Sequence, residues 1–202
     1  MDDKVLKEGY DLTYENAREL IEDAQLLKKS QRYSRAYTLF QLAIEEIGKC
    51  RLIWCGMIDF YQGKQISEEY FKDNNFLWHN AKTKSSLKAQ LEAILLFEMQ
   101  TGNSLQKMKD AIRNDYENIP ELNSLKNKSL YVDIENEEFI SPKDQITEEM
   151  VDKIELKARI RLEAQNLALT DLSELKILAE RIQDLDSDTD KLNDWLDDLI
   201  SD

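Results

Sequence analysis

Glu45, Glu46 and Lys49 are charged residues in the middle of a run, 33–61, that is otherwise apolar almost all round. Charged groups are rarely buried unless paired. Glu45 and Lys49 stand four apart with the acid first, the order that favours an ion pair along one helix face. The trio therefore predicts either a structural ion pair anchoring a helical bundle or the wall of a site. His79, the sole histidine, and Lys82 stand three apart on one face of another helix, with Ser86 one turn further. RNA cleavage through the ribose 2′-hydroxyl needs a proton acceptor, a proton donor and a cation for the phosphorane charge. Histidine and lysine fill such roles, and a helix N-terminus near His79 adds partial positive charge for a phosphate. His79, Lys82, Glu45, Glu46 and Lys49 are thus the candidate catalytic residues. The sequence equally allows a surface histidine beside a solvated lysine.

The stretch 79–128 carries eight Lys and Arg against six Asp and Glu, the least acidic long portion of the chain. Lys84, Lys88, Lys126 and Lys128 are its candidate phosphate contacts, with Tyr131 beside them. A solvated mixed face is the plainer alternative, and for Tyr131 and Asp133 that alternative is to order their loop.

These residues need elements to position them. Thr13 is a plausible N-cap for a helix over 13–30, with Ala17, Leu20, Ile21, Ala24 and Leu27 on one stripe. The run 33–61 predicts a second helix, buried on several sides and central to a bundle. A short segment, SEEYFKDNNF, precedes a third long helix over 78–101. Gly102 is a stop residue, Asn103 or Ser104 caps a further helix to about 118, and Pro120 ends it. Residues 129–140, SLYVDIENEEFI, have β character and predict an extended loop or short hairpin, closed by Pro142. Thr147 starts a helix reaching towards Asp184. Ala168, Leu172, Leu175, Ala179 and Ile182 repeat at 4-3-4-3 on it, a seam for a partner or for the bundle.

Composition agrees. Among 202 residues there are only five Gly and two Pro, with no Gly after Gly102. Strand-rich folds need turn residues far more often. The formal charge is −14, and most of it lies in 144–202, which carries 17 Asp and Glu against seven Lys and Arg. Such a tail repels nucleic acid and membrane surfaces, so any RNA contact must be local. Cys50 and Cys55 are five apart on one helix, which predicts no disulfide and fits a reducing cytoplasm. The first ten residues have no apolar core, and no apolar run approaches the roughly 20 residues that span a bilayer. One histidine cannot supply a di-iron bundle, no Cys/His cluster has zinc spacing, and no P-loop, GxGxxG or nucleophile elbow occurs. No metal or cofactor is expected.

LAIEEIGKCRLIW (42–54) resembles the EExGK segment of the AbiV family of bacterial abortive-infection proteins, which have HEPN-like domains. ARELIEDAQLLKKSQRYSRAYTLF (17–40) resembles the family's upstream helix pair, WHNAKTK (78–84) its His-plus-Lys helix start, and KNKSLYVDIENEEFISP (126–142) its LYVD segment. They span most of the chain in the expected order.

The resemblance implies an all-α, HEPN-like up-and-down bundle with one short irregular loop. Chain length fits one domain over 1–202, in which 144–202 is an acidic helical extension packing on the rest. The resemblance also implies a homodimer, a phage-encoded protein as trigger, and arrested growth. Many HEPN proteins are metal-independent endoribonucleases with an Arg-x4–6-His motif. Here the nearest arginine upstream of His79 is Arg51, and Lys72 stands at the outermost spacing of the motif. Two mechanisms stay open: an endoribonuclease toxin built on His79 and Lys82, and a non-catalytic binding module that blocks translation through protein contacts.

Overall fold

The computed structural model describes residues 1–168, 172–184 and 189–201. They form α1 (Asp3–Lys29), α2 (Tyr33–Tyr61), α3 (Glu68–Asp73), α4 (His79–Thr101), α5 (Gln106–Glu117), α6 (Ile119–Leu130), β1 (Asp133–Glu135), β2 (Glu138–Ile140), α7 (Pro142–Gln145), α8 (Glu148–Ala168), α9 (Leu172–Asp184) and α10 (Thr189–Ser201). The fold is all-α, as expected.

α2 has the predicted bounds and is the central helix, in contact with α1, α4, α6, α8 and α9. Phe40, Ile44, Ile47, Met57 and Ile58 along it are fully buried, each such burial contributing about 1.5–3 kcal/mol. α1 pairs with it through a three-residue turn in which Gln31 takes a left-handed φ of 58°.

The helix expected from Thr13 begins ten residues earlier. Asp2, not Thr13, is the N-cap and accepts from the Val5 amide. Leu6 and Tyr10 of the added turns are buried in a second apolar cluster with Cys50, Ile53 and Ile58. Inside the helix the Thr13 hydroxyl donates to the Gly9 carbonyl at 2.7 Å, the i−4 bond open to a mid-helix Thr.

α4 ends at Gly102 with φ 69°, as predicted. Neither Asn103 nor Ser104 caps α5. Its N-cap position is Leu105, whose amide donates to Glu98 of α4 at 2.6 Å. Pro120 does not end a helix; it lies in the first turn of α6, where a missing N–H is harmless. β1 and β2 form the short hairpin, with Asn136 and Glu137 both at positive φ, the pattern of a two-residue type I′ turn. Thr147 accepts from the Met150 amide as α8 begins. The helix expected from Thr147 to Asp184 is occupied by α8 and α9, with 169–171 outside the described residues. On its seam, Leu175 and Ala179 are buried against α2 residues, while Ala168, Leu172 and Ile182 are outside the described side chains. Cys50 and Cys55 are both free and buried.

Two arginines are fully enclosed. Arg51 holds Glu92 at 2.6 Å and Asn193 of α10 at 2.9 Å. Arg161 of α8 holds Asp115 at 2.7 Å and reaches Ser86 at 3.3 Å; burial pushes its guanidinium down to about 10. These pairs join α8 and α10 to the bundle. Among the described residues, no helix is long and apolar enough to cross a membrane.

Candidate functional site

The local logic of the site starts at Gly48. A glycine in mid-helix costs roughly 1 kcal/mol relative to alanine, so its place in α2 needs a reason. A Cβ built at Gly48 would stand 1.8 Å from the Lys82 carbonyl oxygen and 2.6 Å from its carbon. The α4 backbone therefore lies directly on α2 here. Glu45 is one turn before Gly48 on the same face of α2, and His79 is one turn before Lys82 on α4. The close approach brings the two pairs together.

Glu45 is 1% exposed and accepts from three cationic or imidazole groups. His79 Nδ1 lies 2.6 Å from Oε2, Lys82 Nζ lies 3.0 Å from Oε2, and Lys126 Nζ lies 2.6 Å from Oε1. α6 delivers Lys126, and Ser129 fixes α6 to α2 through a 2.6 Å hydroxyl–hydroxyl bond with Thr38. Burial pushes the Glu45 carboxyl up, but the bonds from Lys126, His79 and Lys82 outweigh it and hold it below the usual carboxylate range. Two ammonium groups against one carboxylate leave a net positive charge.

His79 is the accessible member, with its side chain 59% exposed. It lines a cavity of about 680 Å³ together with Leu42, Leu77, Trp78, Asn80, Asn123, Lys126, Asn127, Leu130 and Tyr131. Glu45, an acceptor only when ionised, accepts a hydrogen bond from Nδ1–H. Nε2 is then the basic nitrogen. Trp78, the N-cap of α4, offers no side-chain cap. The first amides of α4 therefore keep donors without intrahelical partners, at the positive end of its dipole.

The structure gathers some predicted residues and disperses others. His79, Lys82, Glu45, Lys126 and Tyr131 converge. The Glu45–Lys49 pair does not form: Lys49 bonds Glu46 at 2.5 Å instead and lies 5.6 Å from the Phe76 ring centre, because Glu45 turns inward to α4 and α6. Ser86 is buried on Thr83 and Arg161, away from the cavity. Lys88 is buried on Asp197 and the Asn193 carbonyl, so it is closed to phosphate. Lys84 is exposed beside the Tyr116 ring at 4.7 Å, and Lys128 pairs with Glu135 at 2.8 Å. Sequence reasoning missed Trp78, Asn80, Asn123 and Asn127. The i,i+3,i+4 spacing of Asn123, Lys126 and Asn127 was the available signal, visible only once 119–130 is known to be a helix.

A profile of the AbiV family matches residues 5–162, most of the chain. The chain belongs to the AbiV family. That places it among HEPN-type abortive-infection proteins, and the matched span contains Glu45, His79, Lys82, Lys126 and Tyr131. Neither a curated protein nor a solved structure matches it. The AbiV match ends within α8, so α9 and α10 lie beyond it.

Gly48→Ala tests the geometry of this AbiV bundle. The contact is with backbone, which cannot swing aside, so α4 must move. Overpacking of this kind costs about 1–3 kcal/mol, or roughly 2–12 °C of melting temperature for a domain of this size. A thermal melt unchanged by the substitution would show that α4 does not lie on Gly48.

Proposed function

We propose that the chain arrests gene expression after phage infection by cutting RNA, as a metal-independent endoribonuclease in which His79 is the general base. The observation that carries this is the 2.6 Å hydrogen bond that His79 Nδ1–H donates to Glu45. A buried carboxylate fixes the imidazole's tautomer and orientation and stabilises the imidazolium that forms. Nε2 takes the proton of a ribose 2′-hydroxyl. The 2′-oxygen attacks the adjacent phosphorus, the 5′-oxygen leaves and takes a proton from water, and a 2′,3′-cyclic phosphate remains. Lys82, Lys126 and the free amides of α4 offset the phosphorane charge. Glu46 and Lys49 support α2 and do not touch the reacting atoms.

RNA integrity in phage-infected cells tests it. Cells carrying the chain should show cleaved RNA, and cells carrying the His79→Ala form should show intact RNA. Intact RNA in both would sink the nuclease reading.

A second reading draws on the charge of −14 and on the burial of Lys88 and Lys126. In it the chain blocks translation through protein contacts, without catalysis, after a phage-encoded protein triggers it. The same experiment separates the two, since protection would then persist with intact RNA.

The assembly we propose is a homodimer of one domain per chain, with 144–202 as its acidic helical extension, acting in the cytoplasm. Light scattering at tens of micromolar should give twice the 23.7 kDa of the chain; a mass near 24 kDa would reject the dimer.

A further inference from the structure

Two large aromatic side chains beside His79 have no structural employment. Trp78 is 69% exposed and Tyr131 is 65% exposed, and both line the His79 cavity. Trp78 immediately precedes the first turn of α4, and Tyr131 immediately follows the last turn of α6. Each sits on extended backbone at a helix end, so the two rings are held at the rim by rigid elements rather than by a long loop. Leaving such rings in water forgoes the burial that aromatic residues normally gain.

Between them the cavity wall changes character. Asn80, Asn123 and Asn127 contribute neutral amides. Asn123 donates to Asn80, and its own carbonyl oxygen is buried with no hydrogen-bond partner among the described residues. A buried acceptor left unmatched is costly unless something donates to it. Lys126 adds a positive group to the same wall, and Lys82, behind the lining residues, shares Glu45 with it.

Aromatic faces, amides able to donate and accept, and a positive group are the complement of one nucleotide: a flat base, its polar edge and its phosphate. A cavity of about 680 Å³ lies in the range of small-molecule sites. An apolar protein segment laid here would cover the rings but leave the amides and the positive group unmatched.

We infer that Trp78 and Tyr131 hold a single unstacked base of the RNA, with its edge on the Asn80 and Asn123 amides and its phosphate at the first turn of α4. This rests on the reading of the cleft as an RNA site, and it narrows the substrate to unpaired nucleotides. A base inside a duplex has both faces covered by its neighbours, whereas bases in single strands, loops and bulges are free to stack on aromatic side chains.

The test is fluorescence anisotropy with the purified full chain and a labelled eight-nucleotide mixed-sequence RNA, alone or annealed to its complement. It is run in a His79→Gln background so that the probe stays whole. The single strand should bind at least tenfold more tightly than the duplex. Trp78→Ala and Tyr131→Ala should each weaken single-strand binding about tenfold to a hundredfold, the range that loss of one base stack implies. Trp78→Phe should keep most of the affinity, because it keeps a stacking face. Phe139→Ala, at an exposed aromatic on β2 outside the cavity, should change nothing, and circular dichroism should be the same for all four. Duplex binding equal to single-strand binding, alanine variants that bind as the parent does, or no binding of either RNA would each overturn the inference.

Cleavage assays in the native His79 background keep this apart from the nuclease reading. Binding that depends on Trp78 without any cleavage leaves the base clamp standing and removes the nuclease. Cleavage that depends on His79 but has the same KM in Trp78→Ala and Tyr131→Ala removes the clamp and leaves the nuclease.

Discussion

Glu45→Leu should be among the most destabilising single substitutions in the chain. It strands Lys82 and Lys126, both buried, with no carboxylate between them. Removing one partner of a buried ion pair costs about 3–5 kcal/mol, because the remaining charge is left uncompensated. For a chain of this length that is a fall of roughly 6–20 °C in melting temperature. The triple variant Glu45→Leu, Lys82→Met, Lys126→Met should recover most of the loss, since apolar side chains of similar volume need no partner. A Glu45→Leu protein that melts like the parent would mean that Lys82 and Lys126 are hydrated from the cavity without Glu45.

Acid should reproduce part of this effect. The Glu45 carboxyl titrates below the usual range in the folded chain: burial raises it, and Lys126, His79 and Lys82 lower it by more. Unfolded, it titrates near the ordinary value of about 4.3. A carboxyl depressed by folding contributes stability that is fully present above its unfolded pKa. That stability is lost as the pH falls through the folded value. Glu45→Gln should therefore flatten the acid limb of the stability curve below about pH 4.3 while lowering the plateau at neutral pH. Equal slopes for parent and variant in urea melts across that limb would remove Glu45 from the acid response.

How much of this was legible beforehand follows from the kind of information each feature uses. α2 was readable to its bounds because its signal is dense: apolar residues on nearly every face leave no other burial for it. The start of α1 is hidden in the sequence, since the apolar side chains of its first turns, Val5, Leu6, Tyr10 and Leu12, make no clean stripe, while Thr13 has the chemistry of a cap. The cap was Asp2, and only packing of Leu6 and Tyr10 against α2 decides between them. α6 is hidden in the sequence because Pro120 at its start looks the same there as a helix terminator. The charges in α2 stand out in the sequence, but their pairing does not. Spacing along a helix favours Glu45 with Lys49. The inward face of Glu45 meets Lys82 and Lys126 from 37 and 81 residues away, a choice made by tertiary contact. Gly48 held the missing clue. A glycine in mid-helix marks a backbone approach, and the residue one turn before it is the one the approaching helix covers.

The second large effect is chemical. His79→Gln should lower the rate of RNA cleavage by about 10²–10⁴-fold, the usual worth of a general base, without a comparable change in stability. The side chain is more than half exposed, and glutamine can still donate an amide hydrogen to Glu45, so the buried cluster keeps a partner. What glutamine lacks is a nitrogen that accepts a proton at neutral pH. His79→Ala should fail to the same extent in cleavage and somewhat more in stability, because Glu45 then loses one of its three donors. The informative comparison is the ratio of the two variants. Equal loss of cleavage with unequal melting separates proton transfer from packing. A Gln form that cleaves at the parent rate would show that His79 only orders the start of α4, and the role of the chain would then rest on binding rather than on bond breaking.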